Sequence, residues 1–448
     1  MARLFGTDGV RDIANGKLNA DLAYQMGRAG AYCLTNAVHK AKILIGRDTR
    51  ISGDMLESAL VAGVCSAGAE AVVAGVIPTP AVAYLTKHLG CDAGAMISAS
   101  HNPVEYNGIK FFSMDGFKLA DSIEDRIEAL IATGGQEIPA PSGMEIGRRV
   151  RHKNAQREYV DHIESLAKMP LDGLMIVLDC ANGASSAVAP ELFKRLGAKV
   201  HACYHMPDGT NINENCGSTH PESLATQVRE MGADVGLAFD GDTDRLIAVD
   251  ENGAILNGDQ VMTICAIDLK NEGKLAHDTV VATVMSNMGM ELALKREGIR
   301  LLRSDVGDRY VLEKMRQEGC NFGGEQSGHV IFLDESTTGD GILSGLHLVS
   351  VMKKRGMKLS QLARVISILP QVLVNARVSE SKKHFYAEDE QICREIDLLE
   401  QRMAGTGRVL IRTSGTEPLV RVMIEGEDSG QITEHAVRLA SLIEQQLG

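Results

Sequence analysis

Ser98-Ala99-Ser100-His101-Asn102-Pro103 gathers two hydroxyls, an imidazole and an amide within one short stretch. It follows the apolar run Ala93-Gly94-Ala95-Met96-Ile97, which reads as a buried strand. Pro103 lacks an N–H and disfavours helical geometry at Asn102, so a tight exposed turn is expected. Ser100, held out on such a turn, is a candidate nucleophile. The plainer reading is an Asn-Pro bend whose serines satisfy their own backbone. A second stretch, Asp240-Gly241-Asp242-Thr243-Asp244-Arg245, follows the apolar Val235–Phe239. Carboxylates at i, i+2 and i+4 share one side of an extended chain. Hard oxygen donors suit Mg²⁺, Mn²⁺ or Ca²⁺ better than zinc, and only three of them favours magnesium completed by water or a phosphate oxygen. An EF-hand is excluded, because the β-like run Leu246–Val249 lies between Asp240 and Glu251, the residue at the twelfth position. Arg245 is a charge partner of the carboxylates or a phosphate contact.

Two further loops carry polar chemistry. Gly323-Gly324-Glu325-Gln326-Ser327-Gly328-His329 precedes the strand-like Val330–Phe332. Glu325 and Ser327 offer sugar-type hydrogen bonds, and His329 a proton carrier. A tight hairpin with a capping histidine is the plain alternative. Arg412-Thr413-Ser414-Gly415-Thr416-Glu417-Pro418 joins two strands, the second containing Arg421. Hydroxyls and backbone N–H groups around a glycine make an anion nest, and Arg412 adds a bidentate fork. It is not a P-loop, since it lacks G-K-[ST] and a following helix. Phe5-Gly6-Thr7-Asp8-Gly9-Val10-Arg11 is a compact polar loop ending in Arg11, and Lys110 follows the serine turn closely enough to bring it an ammonium.

These loops need a scaffold. From about 42 to 112 strand and helix alternate: a strand at Lys42–Gly46, a helix at Asp54–Ala67 capped by Ser52 or Asp54, a strand at Ala71–Ile77, a helix at Ala81–Leu89 and a strand at Ala95–Ser98. The rhythm returns around 174–239 and again from about 279, where its last helix starts at Gly307 or Asp308. From about 371 it changes to strand, helix (Tyr386–Met403), two strands and a closing helix. The expected architecture is α/β: three similar βα domains with mixed, mostly parallel sheets plus a smaller C-terminal α+β domain. The expected divisions are 1–147, 148–252, 253–369 and 370–448.

Composition narrows the function. A net charge of −13 over 448 residues argues against a nucleic-acid binder. No apolar run approaches the ~20 residues that span a bilayer, and the N-terminus lacks a signal-peptide core. Nine cysteines without a C-x-x-C pair read as reduced thiols, so a cytoplasmic location and no membrane insertion are expected. A serine nucleophile, a divalent-metal loop, a sugar-type loop and an anion nest, each in a different expected domain, point to phosphoryl transfer on a sugar phosphate in a central cleft. A serine hydrolase would want G-x-S-x-G and leaves the acidic loop without a part. A sugar-phosphate sensor would not need the intact serine and aspartates.

The chain resembles the α-D-phosphohexomutase superfamily. The motifs FGTDGVR at 5–11, ISASHNP at 97–103, NGIKFF at 107–112, DGDTDR at 240–245, GEQSGH at 324–329 and RTSGTEP at 412–418 stand in the family's order. The resemblance implies that Ser100 is a phosphoserine. It implies one Mg²⁺ per chain on Asp240, Asp242 and Asp244 together with that phosphate. Glu325 and Ser327 would contact sugar hydroxyls, while Arg412, Ser414, Gly415, Thr416 and Arg421 would hold the non-reacting phosphate. Arg11, His101, Lys110, Arg245 and His329 match positions near the transfer site, and His101, Lys110 and His329 are all candidates to move the proton. The implied activity is that of an isomerase on an amino-sugar phosphate, interconverting glucosamine 6-phosphate and glucosamine 1-phosphate through a 1,6-bisphosphate that also serves as activator. The neutral-sugar mutases of the family, acting on mannose or glucose phosphates, are the alternative. The working form would be a monomer or homodimer.

Overall fold

The computed structural model describes residues 3–6, 8–34, 40–414 and 417–448. The chain forms two units, Met1–Thr283 with Leu302–Arg364 and Val284–Leu301 with Val365–Gly448.

In the first unit, continuous apolar runs form strands buried on both faces, as parallel sheets covered by helices require. The first sheet holds β1 (Val10–Ile13), β2 (Lys42–Arg47), β3 (Glu70–Val76), β4 (Ala93–Ile97), β5 (Tyr106–Ser113) and β6 (Arg149–Arg151), in the order β1-β5-β4-β2-β3-β6. β2, β3, β4 and β6 run parallel, and β5 returns antiparallel to β4. Ile43, Leu44, Ile45 and Ile97 have no solvent exposure. Each such side chain contributes about 1.5–3 kcal/mol by leaving water. Because β6 still pairs with β3, this sheet extends past residue 147, where the first division is expected.

The second sheet holds β7 (Met175–Asp179), β8 (Lys199–Cys203), β9 (Val235–Phe239), β10 (Leu246–Asp250) and β11 (Ile255–Leu256), ordered β11-β10-β9-β7-β8. The third holds β12 (Thr279–Thr283), β13 (Arg300–Ser304), β14 (Phe322–Gly324) and β15 (Val330–Phe332), ordered β13-β12-β14-β15. β14 pairs antiparallel with β15, so Gly323 and Gly324 belong to a ladder and the expected Gly-rich loop shrinks to 325–328. Their smallness serves packing: a Cβ on Gly323 would stand 2.5 Å from the Val281 carbonyl.

The second unit is a three-stranded antiparallel sheet of β16 (Gln371–Arg377), β17 (Gly407–Thr413) and β18 (Leu419–Gly426), ordered β16-β18-β17. The helices Glu390–Met403 and Ser429–Leu447 close its core through Ile392, Leu399, Leu439 and Ile443. The helix Met288–Arg296 also belongs here. Asn287 Oδ1 accepts the N–H groups of Leu369 and Gly289, both at 2.9 Å.

Two local expectations change. Ser52 lies inside the helix Ser52–Ser66, whose N-cap is Ile51 and whose first turn has no side-chain cap. Its hydroxyl instead accepts a hydrogen bond from Asn107 at 2.9 Å, and Asp54 is drawn to Arg47 at 2.6 Å. The expected helix Tyr386–Met403 is a short 3-10 turn, Phe385–Ala387, followed by a helix from Glu390. Asp389 divides them by accepting the N–H groups of Gln391 and Ile392. The helix Ala20–Leu34 and strands β1, β5 and β6 were not anticipated.

Candidate active site

Ser100 lies just past the carboxyl end of β4, and Asp240 to Asp244 just past the carboxyl end of β9, where ligands sit in open α/β sheets. The turn expected to be exposed is so only at its end: Pro103 is exposed and His101 and Asn102 are half-buried, but Ser100 is fully buried beneath Asp240, Arg50 and Asn213. Its hydroxyl donates to Asp240 Oδ2 at 2.6 Å, and His101 Nδ1 lies 3.2 Å from Ser100 Oγ. Ser100 adopts φ 53° and Thr243 φ 68°. Left-handed backbone at such residues costs about 1–2 kcal/mol each, so the surrounding bonds must enforce it. Gly241 permits the approach, since a Cβ there would stand 2.6 Å from the Ser100 carbonyl.

The three aspartates are buried, with one carboxylate oxygen of each within 4.8 Å of the others. Asp240 Oδ1 accepts the Arg245 N–H at 3.2 Å. Asp242 Oδ2 accepts from Thr79 at 2.5 Å and from Lys110 at 3.0 Å. Lys110 also lies 3.6 Å from Asp244. Asp242 Oδ1 and Asp244 Oδ1 are buried without a hydrogen-bond partner. Burial and the neighbouring carboxylates Asp244 and Asp242 push the Asp240 pKa well above the usual range. Burial also works to raise Asp244, but Lys110 and His329 outweigh it and hold that carboxyl low. Crowded, partly unsatisfied carboxylate oxygens with no nitrogen or sulfur donor among them fit a hard divalent cation such as Mg²⁺.

Cationic groups ring this centre. Lys110, on β5, loses basicity to burial but regains more from Asp242, Asp8 and Asp244, so its pKa is raised. Arg11, on β1, pairs with Asp8. Arg245 Nε lies 3.8 Å from Asp244 Oδ1. His329 precedes β15, with Nδ1 3.6 Å from Asp244 and Nε2 accepting the Gly339 N–H at 3.1 Å. Burial opposes its charged form, yet Asp244 and Asp308 raise its pKa, while the Gly339 N–H favours the neutral ring. Burial, Arg245 and Arg11 push His101 down to about 4, leaving it neutral near pH 7. In the 325–328 loop, Glu325 Oε1 accepts the Gly307 N–H at 3.1 Å and Ser327 is exposed. Gly328 has φ 95°, and a Cβ there would stand 2.2 Å from the Leu246 carbonyl.

In the second unit, Arg412 and Arg421 are cross-strand partners on β17 and β18. Arg421 lies 3.3 Å from Glu417, and Ser414 Oγ accepts the Glu417 N–H at 3.2 Å. Gly415 and Thr416 lie outside the described residues.

Several residues at the first unit's site were not singled out from sequence. Asp48 and Arg50 follow β2 as Ser98 follows β4, and that polar cluster after a buried run was a readable signal. Thr79, Asn213 and Asp308 had no local signal. Lys118 had none either: it donates to Asp8 at 2.6 Å and to Asp308 across 190 residues of chain.

Comparison with known proteins matches these features. The chain matches phosphoglucomutase/phosphomannomutase alpha/beta/alpha domain I over residues 2–137, domain II over 157–253, domain III over 257–367 and the C-terminal domain over 373–442. It is 59% identical over 447 residues to the phosphoglucosamine mutase of Thermoanaerobacter sp. (strain X514), covering 100% of each chain. A solved phosphoglucomutase/phosphomannomutase family protein from Burkholderia thailandensis superposes with a TM-score of 0.81 at 25% identity, covering 99% of this chain and 98% of that one. An N-acetylglucosamine-phosphate mutase of the alpha-D-phosphohexomutase superfamily, 18% identical, shares the fold with a TM-score of 0.63, covering 99% and 96%. With four family domains in order and a relative of that identity over its full length, the chain belongs to the phosphoglucomutase/phosphomannomutase family.

Proposed function

We propose that the protein is an isomerase that interconverts glucosamine 6-phosphate and glucosamine 1-phosphate, with Ser100 as the phosphate carrier. The observation that carries this reading is the Ser100 hydroxyl bonded at 2.6 Å to Asp240, within a triplet of buried carboxylates and beside a buried lysine. The full-length relative with 59% identity, named a phosphoglucosamine mutase, supports the substrate.

In the forward direction phosphoserine transfers its phosphoryl group to the sugar O1. The bond from phosphorus to Oγ breaks, the bond to O1 forms, and the O1 proton passes to a base. The resulting 1,6-bisphosphate reorients, the bond from phosphorus to O6 breaks as the bond to Ser100 Oγ forms again, and O6 takes up the proton that O1 gave to the base. Asp240, Asp242 and Asp244 would hold Mg²⁺, which would supply neutralisation of phosphoryl charge. Lys110, kept cationic by its carboxylates, attracts the transferring phosphoryl oxygens, with Arg11 and Arg245 alongside. His101, neutral and 3.2 Å from Oγ, and His329, facing Asp244, are the proton carriers this reading retains. Glu325 and Ser327 orient the sugar hydroxyls. Arg412, Ser414 and Arg421 bind the phosphate that is not reacting. A sugar 1,6-bisphosphate restores any enzyme that has lost its phosphoryl group.

We also infer four domains near the divisions expected from sequence, with the first running on through Arg151, and a cytoplasmic monomer or homodimer. All nine cysteines are free, and no described helix is long and apolar enough to cross a membrane.

Mass spectrometry of the intact protein, combined with turnover assays, tests this function. Wild type is expected to carry one phosphoryl group that Ser100→Ala lacks, with turnover lost in that variant; normal turnover by Ser100→Ala would overturn it. Equal or faster turnover of glucose or mannose phosphates would replace glucosamine with the neutral-sugar alternative.

A further inference from the structure

Arg50 is fully buried, and none of the roles above includes it. Its guanidinium is spent on the serine turn. Nη2 donates to the carbonyls of Ser100 at 2.9 Å and Asn102 at 2.7 Å, and Nη1 donates to the carbonyl of Pro103. Nε donates to Asp48 Oδ2 at 2.9 Å, and the Arg50 N–H donates to Asp48 Oδ1 at 2.9 Å. Asp48 in turn accepts the Ser98 hydroxyl at 2.6 Å, and Ser98 Oγ accepts the Ser100 N–H at 2.9 Å. Both backbone polar groups of Ser100 are thus held by one connected network. A second donor arrives from the β8–β9 connection: Asn213 Nδ2 donates to the same carbonyls, Ser100 at 2.9 Å and Asn102 at 3.0 Å.

We propose that Arg50, seconded by Asn213, is the positioning residue of the phosphate carrier. It fixes the left-handed Ser100 so that Oγ stays over the aspartates, and this inference rests on reading Ser100 as that carrier. A buried ion pair is a poor way to gain stability when apolar residues can fill the same space. Arginine's planar fork can meet several fixed carbonyls at once, which a lysine ammonium cannot do with the same geometry. Misplacing a reacting group by about 1 Å costs on the order of 10²-fold in rate. A loosened turn also opens the phosphoserine to water, which attacks phosphorus, breaks its bond to Oγ, returns a proton to that oxygen and releases inorganic phosphate.

The test uses full-length Arg50→Lys and Asn213→Ala, with rates expressed per phosphorylated chain in excess sugar 1,6-bisphosphate. Arg50→Lys is expected to lower kcat on the order of 10²-fold and Asn213→Ala roughly tenfold. KM for the sugar phosphate should stay within roughly threefold, because ground-state binding is untouched. Without sugar, both variants should lose phosphate from Ser100 faster than wild type, as followed by intact mass. A merely structural role would lower the melting temperature and the folded fraction but leave kcat per phosphorylated chain and the hydrolysis rate unchanged, and that result overturns the proposal. If Arg50→Lys does not fold, Asn213→Ala decides alone, since it leaves the Arg50–Asp48 pair intact. Should Ser100→Ala be inactive while both clamp variants behave as wild type, only the clamp falls. Should Ser100→Ala turn over normally, the carrier reading falls and the clamp with it.

Discussion

The Ser100 turn and the Arg412–Arg421 hairpin are both assigned to phosphate, yet they are built in opposite ways. Ser100 is fully buried, and its carbonyl accepts from both Arg50 and Asn213. In the hairpin, Arg421 is about one-third exposed and its ion pair is with the exposed Glu417. Arg412 and Arg421 are directly opposite each other on β17 and β18, which brings two like charges to one place on the sheet. Bond-breaking chemistry needs one geometry held against fluctuation. In the proposed reaction the hairpin would accept either phosphate of a reorienting sugar, a task that needs charge and tolerance instead.

The largest effect expected belongs to the buried side. Chelation should abolish turnover, and added Mg²⁺ should restore it. Asp242→Asn should lower kcat by about 10²–10³-fold, because it removes charge from the centre where phosphoryl charge develops. Activity that survives chelation would remove the contrast, leaving the aspartates a structural cluster. One layer out, Thr79 donates to Asp242 at 2.5 Å and orients it. Thr79→Val should raise the Mg²⁺ concentration for half-maximal activity about 10–100-fold, with kcat at saturating metal nearly restored. An unchanged metal requirement would show that Lys110 alone fixes that carboxylate.

The open side should respond in a different parameter. Arg421→Ala removes charge-assisted bonds worth about 1.5–3 kcal/mol and should raise KM about 10–100-fold while kcat changes little. A fall in kcat at unchanged KM would mean that the hairpin acts in the transition state, erasing the distinction.

How far sequence reached follows the same divide. The runs Ala93–Ile97, Val235–Phe239 and Leu246–Val249 were legible because fully buried strands are uninterrupted apolar runs, although the last strand continues to Asp250. The aspartate triplet was legible because its spacing is local. Helix caps were not, since Ser52 and Asp54 found tertiary partners that local pattern cannot show. Lys118 bridges Asp8 and Asp308 through pairings distant in sequence, so its own neighbourhood carries no trace of its role. The serine turn was recognised but its burial was not, because what covers it comes from Arg50, Asn213 and the 240–244 loop. Conversely, Gly323 and Gly324 suggested a ligand loop, whereas their lack of side chains lets strands pack.

The smallest predicted effect has the opposite sign. Glu417 holds Arg421 at 3.3 Å, but Glu417 is exposed and Arg421 about one-third exposed, and solvent-screened pairs contribute about 0–1 kcal/mol. In the free protein this carboxylate partly cancels the charge that a phosphate would meet. Glu417→Gln should therefore lower KM about two- to threefold at low ionic strength. The gain should vanish near 1 M salt, where the screening length falls to about 3 Å. Measuring KM for wild type and variant across a salt series separates two roles for Glu417. A rise in KM at every salt concentration would mean that Glu417 orients Arg421 or itself accepts from the substrate, and the hairpin would then be as preorganised as the serine turn.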